Sequence, residues 1–401
     1  MRSASLLALF FILCMLLAAM PAAAQDIVVP GDGNGDKVVS SEELEIAEQL
    51  QKDGKITSDQ LEEIRHIHEN YPKTITDSAG REVTIWKPLR KIVILNSETV
   101  EVMRSIKAQN TIIGIGKYTK EDVLFFPEIG KLPGVGSVWS PDCEAVLALH
   151  PDAVFLYATF SRSKAEDIQK TIEMADPAII VVRLDCHKPE SYVEEVEKLG
   201  VILEREDEAR EYLDFYQSCV DGITESVGGL SEDEKPRVYL ESWADYRTCT
   251  QGAGWHQKLV MAGGSNIFGD MAVSYADVEP ESVIVRDPEV VIKLCGAGKL
   301  KFGGYGEDDT SEMVDLLENV INRPGWDNVT AVRIGDVYVL SNDILGGAKY
   351  FIGVAYMAKL FHPDLFEEID PEAIHQEYLT RFQGLDYSLD EQGVFVYPEM
   401  T

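Results

Sequence analysis

Three features of the 401-residue chain predict an α/β protein with two lobes joined by one long helix and preceded by a small α-helical hairpin. Short apolar strands alternate with amphipathic helices from residue 73 onward, the rhythm of a mainly parallel sheet covered on both faces. Between the two halves of that rhythm runs EREDEAREYLDFYQSCVDGITESV (204–227), which no Gly or Pro interrupts before Gly222. Ahead of both, VPGDGNGDKVVSSEELEIAEQL (29–50) carries acidic and amide residues at the spacing of a cation-binding loop that runs into a helix.

The chain opens on an apolar leader. Arg2 is its only charge, Leu6–Leu17 is nearly unbroken apolar sequence, and Ala22-Ala23-Ala24 fits a signal-peptidase site. The run is short for a ~20-residue membrane span. A signal peptide over 1–24, cleaved near Ala24, is therefore expected, and with it a secreted, extracytoplasmic protein. The formal net charge of −33 disfavours nucleic acid and anionic lipid as partners. Of six cysteines, five would survive cleavage: Cys143, Cys186, Cys219, Cys249 and Cys295 are odd in number, widely spaced and free of any C-x-x-C pair, so they read as scattered buried thiols.

Counting the loop from Asp32, positions 1, 3 and 5 are Asp32, Asn34 and Asp36. Val38 would offer its carbonyl at position 7, Ser40 stands at 9 and Glu43, the bidentate place, at 12. Calcium wants six to eight hard oxygens, and this spacing turns such groups inward. Position 6 is Lys37 where a glycine turn is usual, which strains the backbone by about 1 kcal/mol. Ser40-x-x-Glu43 is also a capping box, and both roles are compatible. The segment 30–68 resembles dockerin-type and other EF-hand modules. Dockerins pair two complete loops. Here the second (53–64) puts Gln49 and Gln51 where carboxylates belong, so it reads as a turn whose Thr57-x-x-Gln60 caps the next helix. The expectation for residues 25–70 is a hairpin with one structural calcium; the single loop puts cohesin binding in doubt and leaves a protein partner for the hairpin open.

The first lobe is expected over 71–203. TITDSAGREVTI gives two strands about a Ser-Ala-Gly turn, KIVIL a buried strand, Glu98–Lys107 a helix and TIIGIG a further strand. PDAVFLY, a helix at Lys164–Met174 and AIIVVRL continue the alternation. In the linking helix, 204–228, Leu213, Phe215, Tyr216, Val220 and Ile223 recur at helical spacing. The second lobe, 229–401, repeats the pattern with RVYLES, a helix ending at MAGGSNIF, PESVIVRDPEVVIKL, a helix after Ser311, DVYVLS and AKYFIGVAYMAKLF.

TITDSAGREVTI, VGSVWSPDCEAVLALHPDAVFL, LVMAGGSNIF and PESVIVRDPEVVI resemble, in order, the solute-binding proteins of ABC importers for iron-siderophore complexes, haem and cobalamin, over about residues 71–370. The resemblance implies two Rossmann-like lobes on a rigid helical backbone, the periplasmic-binding fold. It implies a non-enzymatic protein that captures a metal chelate between two lobes and delivers it to an ABC permease in the membrane. Iron-siderophore, haem, corrinoid, nickel-chelate and oxyanion transport share this architecture.

Candidate ligand residues follow strand ends, where open α/β sheets place their binding loops. After RVYLES come Trp243, Tyr246 and Arg247, and GAGWH adds Trp255 and His256. Aromatic faces take apolar rings and Arg meets carboxylate or catecholate oxygens. Each aromatic alone fits core packing equally well; the cluster in a Gly-broken loop is harder to bury. Tyr118, Trp139 and Tyr157 stand in the first-lobe loops that the resemblance associates with ligand, and Tyr275 and Tyr305 in comparable second-lobe loops. A direct metal contact by His256 is the less expected of its roles. Glu144 and Glu281 each begin a short helix before a P-D/E-x-V strand. The resemblance makes them a pair that docks on permease arginines, while a carboxylate in a first turn also complements the helix dipole.

Two other readings compete with this one. Ser161-x-x-Lys164 matches a penicillin-binding-protein signature but lacks the K-T-G and S-D-N partners, and no Walker loop, H-E-x-x-H or G-x-S-x-G occurs. The alternative of a secreted, calcium-stabilised scaffold or adhesion protein would use the N-terminal hairpin to hold a protein partner.

Overall fold

The computed structural model describes residues 26–400; the expected signal peptide lies outside the described residues. The described chain divides into two compact units. Unit 1 holds residues up to Leu95 with Thr111–Lys117 and Pro133–Leu184; unit 2 holds Asn96–Asn110, Tyr118–Leu132 and everything from Asp185. Two segments that the sequence places in the first lobe, 96–110 and 118–132, thus pack with the second.

Unit 1 begins with a helical hairpin, Ser41–Lys52 and Ser58–Asn70. Both helices start in full capping boxes, Ser40 with Glu43 and Thr57 with Gln60, as their sequences predict. The hairpin closes on a small apolar set, Val39, Ala47, Ile64 and Ile67, all buried. Strands β1 (Lys73–Thr76) and β2 (Glu82–Ile85) pair antiparallel. Their turn is held by Asp77 Oδ1, which accepts from the N–H groups of Ala79 and Arg81. Four parallel strands follow in the order β4 (Ile112–Ile115), β3 (Ile92–Ile94), β7 (Ala153–Leu156), β8 (Ile180–Arg183). The two-residue strands β5 (Gly136–Ser137) and β6 (Ser140–Pro141) form a separate hairpin. Strand order reverses about β3, so the topological switch point lies between the carboxyl ends of β3 and β7. Val93, Leu95, Val154, Leu156, Ile172 and Val181 lead the core, and β-branched residues suit strands covered on both faces.

Unit 2 is built on a seven-stranded sheet. β9 (Arg237–Glu241), β13 (Val290–Cys295) and β14 (Val337–Ser341) are parallel neighbours, and β11 (Ser265–Asn266) runs parallel to β9. β10 (Arg247–Cys249), β12 (Tyr275–Asp277) and β15 (Val396–Tyr397) add antiparallel edges. The long helix runs over Glu206–Gly228 and packs within this unit, on helices Tyr192–Leu203 and Tyr350–Phe361. Glu206, Asp207 and Glu208 in its first turn complement its dipole. Leu213, Phe215, Tyr216, Val220 and Ile223 are all buried, as the spacing predicts. Each such side chain contributes roughly 1.5–3 kcal/mol on burial, so a charge at Ile223 would break this face.

The sheet of unit 2 also carries a closed ion cluster. Lys293 Nζ lies 2.6 Å from Glu241, both side chains 1% exposed, and Arg323 donates to both Glu241 oxygens at 2.9 and 2.8 Å. Removing one partner of such a buried group costs about 3–5 kcal/mol because it strands the other charge. Among the described residues Cys143 is half-buried and Cys186, Cys219, Cys249 and Cys295 are buried, all as free thiols.

Candidate functional site

In unit 1 the carboxyl end of β7 delivers Tyr157, and the β5–β6 turn delivers Trp139, whose backbone N–H donates to Ser137 Oγ. The two rings stack, centroids 5.5 Å apart and planes at 15°. Phe160, which sequence reasoning passed over, completes the group at 4.9 Å from Trp139 and is 54% exposed. Arg183 holds this loop from beneath. Its buried guanidinium donates to the carbonyls of Tyr157 and Ala158 at 3.2 and 2.7 Å. The result is an aromatic platform on a fixed backbone, partly open to solvent. Tyr118, in helix Lys117–Glu121, is half exposed and counts with unit 2.

In unit 2 the loop after β9 brings Trp243 edge-on to Trp255, and Trp255 edge-on to Tyr275, with centroids 5.3 and 5.5 Å apart. Arg247 stands 6.0 Å over the Tyr275 ring, but its guanidinium is already paired with Asp277 at 3.1 Å, its partner in the β10–β12 ladder. Trp243 and Tyr246 line a cavity of about 890 Å³ together with Leu300, Leu316 and Arg323. The Tyr246 ring lies under the Arg323 guanidinium at 4.6 Å and packs against the core around Trp326. Its φ of 56° explains the abrupt turn after β9.

Tyr305 and His256 both make contacts within unit 2. Tyr305 is buried among Phe125, Tyr387 and Phe395, and its hydroxyl lies 2.8 Å from His375 Nε2. It is a core residue: the Gly-rich loop around it turns inward. His256 receives the Asn266 amide at Nδ1, 3.1 Å away, and the same amide donates to the Cys249 carbonyl. Burial pushes the His256 imidazole below its usual range. The contact ties His256 to Asn266 of β11.

Glu144 and Glu281 are both exposed, each in the first turn of a short helix, Cys143–Ala148 and Pro280–Arg286. In each case the following parallel strand, β7 or β13, starts nine residues later, at Ala153 or Val290. The two units therefore present equivalent acidic positions, as the matched sequence motifs imply.

In the N-terminal loop Lys37 adopts φ 70°, the left-handed conformation that its position requires, and its ammonium turns to Asp26 at 2.7 Å. The carboxylates, however, serve the loop's own N–H groups. Asp32 accepts from Gly35 and Lys37, Asn34 from Asp36, Asp36 from Val38, and Glu43 from Gly33, Asn34 and Ser40. The Ser40 and Gly33 N–H groups hold the Glu43 carboxyl below its usual range. Among the described residues no group of three or more His, Cys, Asp or Glu side chains is gathered to hold a metal ion. The residues expected to hold calcium, Asp32, Asn34, Asp36, Val38, Ser40 and Glu43, are thus linked by a network of hydrogen bonds within the loop.

The sequence profile described as "Periplasmic binding protein" matches residues 92–344. An uncharacterized ABC transporter substrate-binding lipoprotein of Bacillus subtilis, YvrC, is 24% identical over 304 residues, 75% of this chain and 88% of that protein. The molybdate-binding protein MolA of Haemophilus influenzae is 23% identical over 356 residues, 79% of this chain and 93% of that protein. The crystal structure of the TroA-like periplasmic binding protein FepB from Veillonella parvula aligns with a TM-score of 0.71 at 25% identity, covering 81% of this chain and 99% of that one. Among the described residues no helix is long and apolar enough to cross a membrane.

Proposed function

The chain belongs to the periplasmic binding protein family, and from that premise we propose that it captures a metal chelate, an iron-siderophore or a corrinoid or haem, and delivers it to a membrane permease. It is a solute-binding protein of the ABC-importer kind and not an enzyme. The observation that carries the chelate reading is the aromatic lining at strand ends. Trp139, Tyr157 and Phe160 in unit 1, and Trp243, Trp255 and Tyr275 in unit 2, offer ring faces and edges suited to a large, apolar-faced ligand. A bare oxyanion, the ligand named for the Haemophilus influenzae relative, would need converging donors instead, and Arg247 beside Tyr275 is paired with Asp277. Titrating tryptophan fluorescence with ferric siderophores, haem and cobalamin tests the reading. At least one should bind more tightly than about 1 μM; failure of every class would overturn it.

Glu144 and Glu281 are proposed as the permease-docking pair. Their exposure and equivalent positions support this role. A single calcium ion is proposed for the N-terminal loop, supported by residue spacing and the φ of Lys37. Lys37 adds backbone strain and a positive charge to the loop, so binding should be weak. The scaffold alternative gains no support from a family match that lies in the body of the chain.

A further inference from the structure

The sequence of β13, VVIKLC, is an apolar strand with a lysine inside it, and Lys293 is fully buried. Its ammonium reaches both ends of the turn that follows β9, residues 242–246. Nζ donates to Glu241 Oε1 at 2.6 Å and to Asp245 Oδ1 at 3.1 Å. Arg323 makes the same bridge, with Nη2 2.8 Å from Glu241 Oε1 and 2.9 Å from Asp245 Oδ1. Glu241 Oε2 accepts the Tyr246 N–H at 3.0 Å and the Tyr239 hydroxyl at 2.8 Å. Two cations thus meet two carboxylates, and the group is neutral.

The turn is tight and strained. Ser242 N–H donates to the Arg247 carbonyl at 2.8 Å, Ser242 Oγ accepts the Ala244 N–H at 3.2 Å, and Tyr246 sits at φ 56°. A left-handed residue other than glycine persists only where its surroundings fix it. Here Glu241 holds the Tyr246 N–H and the Arg323 guanidinium covers the ring. Trp243 rides on this turn and borders the cavity of about 890 Å³ described above. Its indole packs edge-on to Trp255, and Gly298 passes so close that a Cβ there would collide with it. Asp245 and Arg323 also line that cavity; Lys293 and Glu241 do not.

A buried ion pair is often no more stabilising than apolar side chains of the same volume. Stability alone therefore gives no reason for a lysine inside β13, whereas geometry does: one ammonium ties the residue before the turn to a residue near its end. We infer that Lys293 is a positioning residue for ligand capture. Acting through Glu241 and Asp245, it fixes the 242–246 turn so that the Trp243 ring is set in one orientation before a chelate arrives. A ring already in place binds without the entropy cost of immobilising it. This rests on the chelate reading above and adds to it a residue that is itself sealed from the chelate.

The test uses the full-length mature protein labelled with 5-fluorotryptophan, the Trp243 resonance being assigned with Trp243→Phe. Without ligand, wild type should give one narrow fluorine line for Trp243. Lys293→Met, which keeps an unbranched side chain and removes the ammonium, should broaden or split that line. Ferric trihydroxamate, haem and cobalamin are then titrated. Whichever binds wild type should bind Lys293→Met about threefold to tenfold more weakly, the cost of immobilising one side chain on binding. That loss should vanish in the Trp243→Ala background, where no ring remains to be placed. If circular dichroism shows Lys293→Met to be misfolded, Asp245→Asn, whose side chain is 71% exposed, carries the same readouts. A line as narrow as wild type, an unchanged affinity, or a loss that persists in the Trp243→Ala background would each overturn the inference yet leave the binding-protein reading standing. Absence of binding by all three chelates would remove the chelate reading and this inference with it.

Discussion

The indole of Trp139 lies flat against the phenol of Tyr157, ring centroids 5.5 Å apart and planes at 15°. An offset stack of this kind, with Phe160 tilted against both, is rigid because Arg183 ties the loop carbonyls beneath it. A rigid aromatic face binds without paying much side-chain entropy. Trp139→Ala should therefore weaken chelate binding about threefold to tenfold through lost ring contact. Phe160→Ala should act in the same direction with little change in thermal unfolding, since that ring is more than half exposed. Calorimetric titration with the tightest ligand found checks both.

Glu144 and Glu281 stand in the first turns of equivalent helices and are exposed. Surface charges of this sort register an interface without lining a ligand site. Glu144→Arg combined with Glu281→Arg should abolish uptake through the cognate permease while changing ligand affinity less than about twofold. A collapse of affinity in the double variant would remove the docking assignment.

Much of this was legible in the sequence, and the exceptions have physical causes. The βα rhythm fixed the parallel strands because apolar runs such as IVI and AVFL are buried on both faces. The long helix showed itself by unbroken spacing from Leu213 to Ile223. Phe160 did not, since a lone aromatic in YATFSRSK has no period to betray it and gains meaning only from the Trp139 and Tyr157 rings beside it. Tyr305 misled for the opposite reason: glycines around it suggest an exposed loop, whereas Gly304 is needed so that the chain can pass Asp343. The cluster at Lys293 joins Asp245 to Arg323 across 78 residues, a juxtaposition only the fold provides.

His375 supplies a pH-dependent contribution to stability. It is fully buried, with Nε2 against the Tyr305 hydroxyl, and burial pushes its imidazole down to about 3. The unfolded chain, titrating near 6.5, then binds a proton that the folded state refuses. Stability from this residue is complete above about pH 6.5 and is lost as pH falls toward 3, at about 1.4 kcal/mol per pH unit. Urea unfolding should show about 2 kcal/mol lost to this group between pH 6.5 and 5. His375→Gln should be less stable at pH 7 but show a shallower fall over that interval. A wild-type slope equal to the variant's would mean the imidazole charges freely in the folded state.

The N-terminal loop supplies the last prediction. Residues 26–70 hold 12 Asp and Glu against 4 Lys and Arg, and the hairpin closes on a small apolar set, so electrostatic self-repulsion opposes its folding. Glu43 is the central residue. Its Oε1 takes Gly33 and Asn34 and its Oε2 takes Ser40, so one carboxylate ties the loop to the helix that follows. Glu43→Ala should thus loosen the hairpin even without calcium, by about 0.5–2 kcal/mol, the range for a lost helix cap. Calcium must approach a loop to which Lys37 adds backbone strain and a positive charge, so its dissociation constant should fall around 10⁻⁴–10⁻³ M, the range of extracellular modules. Hydrogen exchange over residues 26–70, with and without millimolar calcium, reads both effects. Slower exchange confined to this segment, abolished by Asp32→Ala, supports the calcium proposal. Unchanged exchange in wild type would leave Glu43 as a cap alone and remove calcium from the protein's account.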